Sequence, residues 1–110
     1  MRTDRIENAK NGWMVGMFDG AILQSNFEVC YKSLSAKKVM ESHYHKLSTE
    51  LTFIISGKMV VNGETLEDGD IFIIEPNETL VCEVVEDTKI VVVKDKSYPS
   101  DKHIVSGGIK

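Results

Sequence analysis

His43 and His45 stand two residues apart, and Glu50 follows five residues later. If 38–45 is a strand, both imidazoles leave the same face, because side chains alternate with a period of two. Their Cα atoms are then about 7 Å apart, close enough for the two rings to reach one point. The short connection 46–49 returns the chain, and Glu50 opens the next strand beside His45 if the two strands pair antiparallel. Two imidazoles and a carboxylate form a facial donor set for one divalent cation, and nitrogen and oxygen donors do not choose among Zn, Fe, Mn and Ni. Such an ion acts as a Lewis acid on a carbonyl or hydroxyl oxygen. Without an ion, the same groups satisfy one another by hydrogen bonds or move protons as general acids and bases.

The elements that must position these residues are strands. Turn signals recur at short intervals: Asn11-Gly12, Asp19-Gly20, Ser56-Gly57, Asn62-Gly63, Asp68-Gly69 and Pro76-Asn77. Between them lie short runs of β-branched and aromatic residues, which predict strands near 13–18, 27–34, 38–45, 50–55, 58–62, 70–75, 79–85 and 89–94. Asn62-Gly63 suits a type I′ hairpin, since both residues tolerate positive φ, and Asp68-Gly69 suits the same turn. Short strands joined by tight turns predict an all-β sandwich or barrel. Alternation puts Phe27, Val29 and Tyr31 on one face and Glu28, Cys30 and Lys32 on the other, and it gives Leu80, Cys82 and Val84 a common face. Mixed alternation of this kind predicts a closed barrel with a partly polar lumen.

With 110 residues, 1–110 reads as a single domain. Residues 1–11 are a polar N-terminal arm, frayed or added as an edge strand to a partner. Residues 97–110 are a C-terminal tail whose Ser106-Gly107-Gly108 reads as mobile. His103, within it, reads as an exposed imidazole. Lys plus Arg number 13 against 17 Asp plus Glu, a net charge of −4, which excludes the electrostatic footprint of a nucleic-acid binder. The longest apolar runs are four residues, 71–74 and 90–93, far short of the roughly 20 a membrane helix needs. The first residues carry no apolar stretch typical of a signal peptide. Cys30 and Cys82 are the only cysteines, so a reduced, cytoplasmic setting is expected. Both thiols read as buried apolar groups.

The spacing His43-x-His45-x4-Glu50-x6-Gly57 resembles the first motif of the cupin superfamily, and Gly69-Asp70 with Ile71 to Ile74, then Glu75-Pro76-Asn77, resembles part of the second. Together these segments span about 37–80, and the 11 residues between Gly57 and Gly69 match the short inter-motif distance of small microbial cupins. The resemblance implies a double-stranded β-helix, a jelly-roll-like cupin barrel, with His43, His45 and Glu50 as metal ligands. It departs in three places. Ser35-Ala36-Lys37-Lys38 lacks the upstream glycine, Glu75-Pro76-Asn77 replaces a Pro-Pro-Gly turn, and the fourth ligand, a histidine in the family, falls on Leu80. Cys82 is offset from Leu80 by about 6.7 Å along the strand, too far to replace that ligand directly.

Glu41, on the face of His43 and His45, joins Tyr31, Leu80 and Cys82 as pocket-lining candidates. The stretch 91–103 is similar to the ending of single-domain bacterial and phage cupins associated with sugar or nucleotide-sugar modification. The implied function is binding of a divalent metal, a small polar and carbohydrate-related molecule, or both, in the lumen. Two alternatives stand beside it: a metal-free binding or accessory module, and a sugar isomerase or epimerase working by acid–base chemistry. Open barrel edges predict a homodimer through edge pairing.

Overall fold

The computed structural model describes residues 1–98 and 100–105. Its strands are β1 (Trp13–Val15), β2 (Glu28–Leu34), β3 (His43–His45), β4 (Glu50–Ser56), β5 (Lys58–Val61), β6 (Glu64–Glu67), β7 (Ile71–Ile74), β8 (Cys82–Val84), β9 (Thr88–Lys94) and β10 (Lys102–Ile104). They form a five-stranded sheet in the order β1-β2-β9-β4-β7, a three-stranded sheet β6-β5-β8, and a β10-β3 pair. All pairings are antiparallel. Among the described residues no helix is long and apolar enough to cross a membrane.

Each expected strand overlaps an observed one, and two more appear. The first is β6, which closes the β5 hairpin with Val61 opposite Glu64. The turn between them has Asn62 at φ 47° and Gly63 at φ 85°, the backbone a type I′ turn requires. At Asp68-Gly69 only the glycine has positive φ, so the second type I′ turn does not form. Gly57 has a steric reason to be glycine. At φ +114° a Cβ there would lie 2.6 Å from the Asp87 carbonyl oxygen.

The central strand β9 shows how alternation builds the interior. Thr88, Ile90, Val92 and Lys94 are buried, while Lys89 is exposed and Val91 and Val93 are half-buried. The partners follow in phase: Cys30 and Thr52 flank Val92, and Glu28 and Glu50 flank Lys94. The lumen is therefore apolar at one end, around Ile54, Met59, Val84 and Ile90, and polar at the other.

The second added strand corrects the reading of 97–110 as a tail. β10 pairs with β3 through Lys102↔His45, His103↔Tyr44 and Ile104↔His43. Three residues carry no alternation to read, so the sequence pattern misses it. Asp101 anchors it instead. This buried carboxylate accepts the backbone N–H of Lys46 at 2.9 Å, Leu47 at 3.1 Å and Ser48 at 3.1 Å. His103 is half-buried and stacks on Tyr44 with ring centroids 5.1 Å apart, so it is not a free imidazole. Ser106-Gly107-Gly108 lies outside the described residues. The N-terminal arm is also attached: Ala9 is buried and Lys10 bridges to Trp13.

Burial alone would raise the Asp101 carboxyl, but the three backbone donors outweigh it and hold it below its ordinary value. A lowered carboxyl stabilises the fold above the unfolded value of about 3.9, and that stability is lost as pH falls through the folded value. Asp101→Ala is expected to destabilise the protein by about 2 kcal/mol at neutral pH, since it orphans the three N–H groups. Denaturant titration should show the difference from wild type shrinking as the pH drops below 4, roughly the unfolded value.

Candidate metal centre and its cavity

His43 and His45 project from β3 into the lumen, with the intervening Tyr44 turned away. Glu50 is the first residue of β4 and projects into the same space. β3 and β4 do not pair with each other as expected. β4 lies between β9 and β7 in the large sheet, whereas β3 pairs with β10 and bridges to Leu80. The histidines and the glutamate therefore approach across the lumen from different sheets. One ligating atom from each residue lies within 4.8 Å of the other two, and all three residues are buried.

The protonation state of each group follows from its surroundings. The His43 ring nitrogen Nδ1 is 3.1 Å from the Glu41 carbonyl oxygen. A carbonyl only accepts, so Nδ1–H donates and Nε2 is left with a free lone pair. Burial, reinforced by Lys102 and Lys94, lowers the His43 pKa. Burial, then Lys94 and His43, lowers that of His45 to about 4. Both rings are thus neutral at pH 7, the form that ligates metal. Burial raises the Glu50 carboxyl, against the opposing pull of Lys94 and Lys102. Among the described residues, neither the Glu50 carboxylate nor the His45 ring has a protein hydrogen-bond or ion-pair partner, and since no fully buried side-chain polar atom is left unsatisfied, both open onto the cavity. Two neutral imidazoles and a buried, unpartnered carboxylate on one point fit a divalent cation by donor chemistry.

Leu80 stands directly opposite His43, with His43 N–H on the Leu80 carbonyl and Leu80 N–H on the His43 carbonyl at 2.7 Å. Its buried side chain supplies apolar wall where the resemblance places a fourth ligand. Cys82 also lines the cavity, but burial pushes its thiol up to about 11, and its sulfur lies 3.3 Å from that of Met40. It is a protonated, packed thiol at neutral pH, and it is not among the three donors that converge. Cys30 is likewise buried, unpaired and raised to about 11.

Two pocket candidates are corrected. Tyr31 is not among the cavity-lining residues, because Cys30 and Lys32 on either side of it take the inward direction. Glu41 is exposed and contributes only its backbone carbonyl, because the chain is not a regular strand between Met40 and His43 and the alternation breaks there.

The cavity holds charged residues that the motif does not contain. Its volume is about 610 Å³. Lys94 Nζ pairs with Glu28 at 3.1 Å, and both side chains are only 7% exposed. Ser97 Oγ donates to Glu28 at 2.6 Å and accepts the Met17 N–H at 2.8 Å. Lys10, Lys32 and Lys102 also line the space, with Trp13 under Lys32 and Lys94 at 5.9 and 5.8 Å. The available sequence signal was phase: Lys94 continues the Ile90, Val92 face of β9, and Glu28 continues that of Cys30 on β2.

No protein-family model and no curated protein matches the sequence. Solved structures do match in shape. A double-stranded β-helix protein from Klebsiella pneumoniae superposes with a TM-score of 0.64 at 20% identity, covering 73% of this chain and 70% of that one. The fold is the double-stranded β-helix of the cupins. KdgF from Halomonas superposes at 0.62 with 16% identity, over 67% of this chain and 72% of that one. Oxalate decarboxylase from Bacillus subtilis, which has Mn(II) centres, superposes at 0.64 with 16% identity, over 76% of this chain but 25% of its own length. Identities this low carry the cupin fold and nothing finer.

A buried carboxyl whose pKa is raised is stable when protonated, and its favourable contribution is lost as pH rises through the folded value. Metal-stripped protein is therefore expected to lose stability from about pH 4.3 upward, the unfolded glutamate value. Glu50→Gln should raise the melting temperature of the stripped protein at pH 7 and flatten that slope, as read by calorimetry across pH. A lower melting temperature would mean the carboxylate is held by partners and not stranded.

Proposed function

We propose that this chain binds one divalent cation through His43, His45 and Glu50, and with it a small anionic polar molecule in the mouth of the barrel. The observation that carries the reading is the convergence of three buried donors within 4.8 Å, with the carboxylate and one imidazole without a hydrogen-bond partner among the described residues. Zn, Fe, Mn and Ni all suit nitrogen and oxygen donors. A bound cation supplies Lewis acidity toward a carbonyl or hydroxyl oxygen.

The rest of the work falls to the chain's own residues. The Glu41 carbonyl holds His43 in one tautomer. Lys10, Lys32, Lys94 and Lys102 face the cavity against Asp19, Glu28 and Glu50. The cavity is thus cationic in a chain of net charge −4, which favours an anion locally. Trp13 and Phe72 add apolar faces suited to the C–H surface of a sugar-derived ligand. A volume of about 610 Å³ admits one molecule of metabolite size.

The second reading is a metal-free binding module, and Leu80 is the observation that favours it, because it replaces a donor with apolar wall opposite His43. Elemental analysis of protein purified without a histidine tag, followed by calorimetric titration of Mn(II) and Zn(II), separates the two. Stoichiometric metal is expected. His43→Ala should weaken affinity by about 100-fold or more, and Leu80→His should strengthen it. Substoichiometric metal that His43→Ala leaves unchanged rejects the cation site and leaves the metal-free reading.

A further inference from the structure

The loop between His45 and Glu50 contains Lys46, Leu47, Ser48 and Thr49. All four of its backbone N–H groups go to two carboxylates that follow β9. Asp101 accepts those of Lys46 at 2.9 Å, Leu47 at 3.1 Å and Ser48 at 3.1 Å. Asp95 accepts that of Thr49 at 2.9 Å. The Asp95 N–H in turn donates to the Thr49 carbonyl at 3.1 Å, and Ser48 Oγ donates to the Lys96 carbonyl at 2.8 Å. The backbone that spaces the histidines from the glutamate is thus held by residues 46 to 55 positions further along the chain.

The two kinds of donor are not equally fixed. Glu50 stands on β4, which β9 and β7 flank on either side, so the large sheet sets its place. The histidines stand on β3, outside that sheet. Among the described residues β3 has one ladder, to β10, and one isolated bridge, from His43 to Leu80. Asp101 directly precedes β10, whose Lys102 and Ile104 pair with His45 and His43. Beyond it the Val105 N–H reaches the Ser42 carbonyl at 2.9 Å. One buried carboxylate therefore clamps the loop that leaves β3 and starts the strand that runs along it. A metal centre tolerates only about 0.2 Å of error in each ligand distance. The clamp is what holds the histidines to that tolerance against a fixed glutamate.

We propose that Asp101 is a positioning residue for the cation centre, acting through the 46–48 backbone and β10 to set His43 and His45 against Glu50, with Asp95 holding the far end of the loop. The inference rests on the cation reading above. Asp101 is not a ligand itself: its oxygens accept backbone N–H groups, and it is not among the three converging donors. Docking of β10 and binding of the ion are then coupled. Whatever factor docking contributes to cation affinity, the bound cation returns to docking. A purely structural clamp would instead lower the stability of the fold and leave the affinity of the folded protein unchanged.

Calorimetric titration of Zn(II) into the full chain and into Asp101→Asn tests this, at a temperature where circular dichroism shows both folded. The variant trades one acceptor oxygen for an amide that faces the backbone donors. A loss of about tenfold or more in affinity is expected, as for residues that orient ligands without touching the ion. Asp95→Ala should act in the same direction but by less, since it frees one N–H. Hydrogen exchange on wild-type protein gives the reciprocal measurement and needs no variant. Saturating Zn(II) should slow exchange of the Leu47, Ser48 and β10 amides by a similar factor, and that of the β5–β6 hairpin by much less. Weaker binding with that local protection supports the inference. Wild-type affinity in folded Asp101→Asn, or protection no greater than in the hairpin, overturns it and leaves the cation site standing. If Asp101→Asn does not fold, the exchange measurement decides alone. Wild-type protein that binds no Zn(II) overturns the cation reading and this inference together.

Discussion

The register of β9 between β2 and β4 is the constraint on which the rest of the molecule depends. Side chains on a strand alternate, so a slip of one residue would exchange the two faces entirely. In the native register Lys94 falls between Glu28 and Glu50, and Val92 between Cys30 and Thr52. Shifted by one, Lys94 would leave the lumen, and Val91 and Val93 would enter it. The buried lysine disfavours that exchange as well as the buried valine, because Glu28 beside it would lose its counter-charge. One ladder thus determines three things together: the polar end of the lumen, its apolar base, and the apolar outer face.

The polar end is organised around desolvation. Glu28 is compensated by Lys94 and Ser97, so its buried charge is paired and hydrogen-bonded. Glu50 is buried to a similar degree yet has no such partner among the described residues, and its carboxyl is raised accordingly. The two carboxylates on either side of Lys94 therefore differ: Glu28 is neutralised within the chain, whereas Glu50 opens onto the cavity without an ion-pair partner among the described residues. A carboxyl whose pKa is raised by burial in a cavity is a common mark of a functional site.

β3, which carries both histidines, is three residues long, too short to hold a register alone. It is fixed from outside. β10 pairs along one side of it, Leu80 bridges His43 on the other, and the Asn77 N–H binds the His45 carbonyl at 2.6 Å. Asp101 ties β10 to the loop leading from His45 to Glu50. The C-terminal residues thereby act on the geometry of the candidate centre without entering it.

Much of this was legible in the residues alone. Alternation and turn dipeptides marked eight of the strands, and the period of two put His43 and His45 on one face. The spacing to Glu50 and Gly57 pointed to the cupin barrel, and Leu80 could be recognised as a position without a donor. These features are local, set by side-chain alternation and backbone φ, which a linear sequence encodes directly. Three-residue β10, the inward lysine and glutamate, and the outward turn of Tyr31 were not legible, since each depends on which strand lies beside which. The sequence by itself determined eight of the strands, the barrel class and the candidate donor set His43, His45 and Glu50. Only the tertiary structure decided that those donors meet across two sheets, that Lys94 stands between Glu28 and Glu50, and that Asp101 holds β3 in place. Burial and register are properties of pairs distant in the chain, and no single strand contains them.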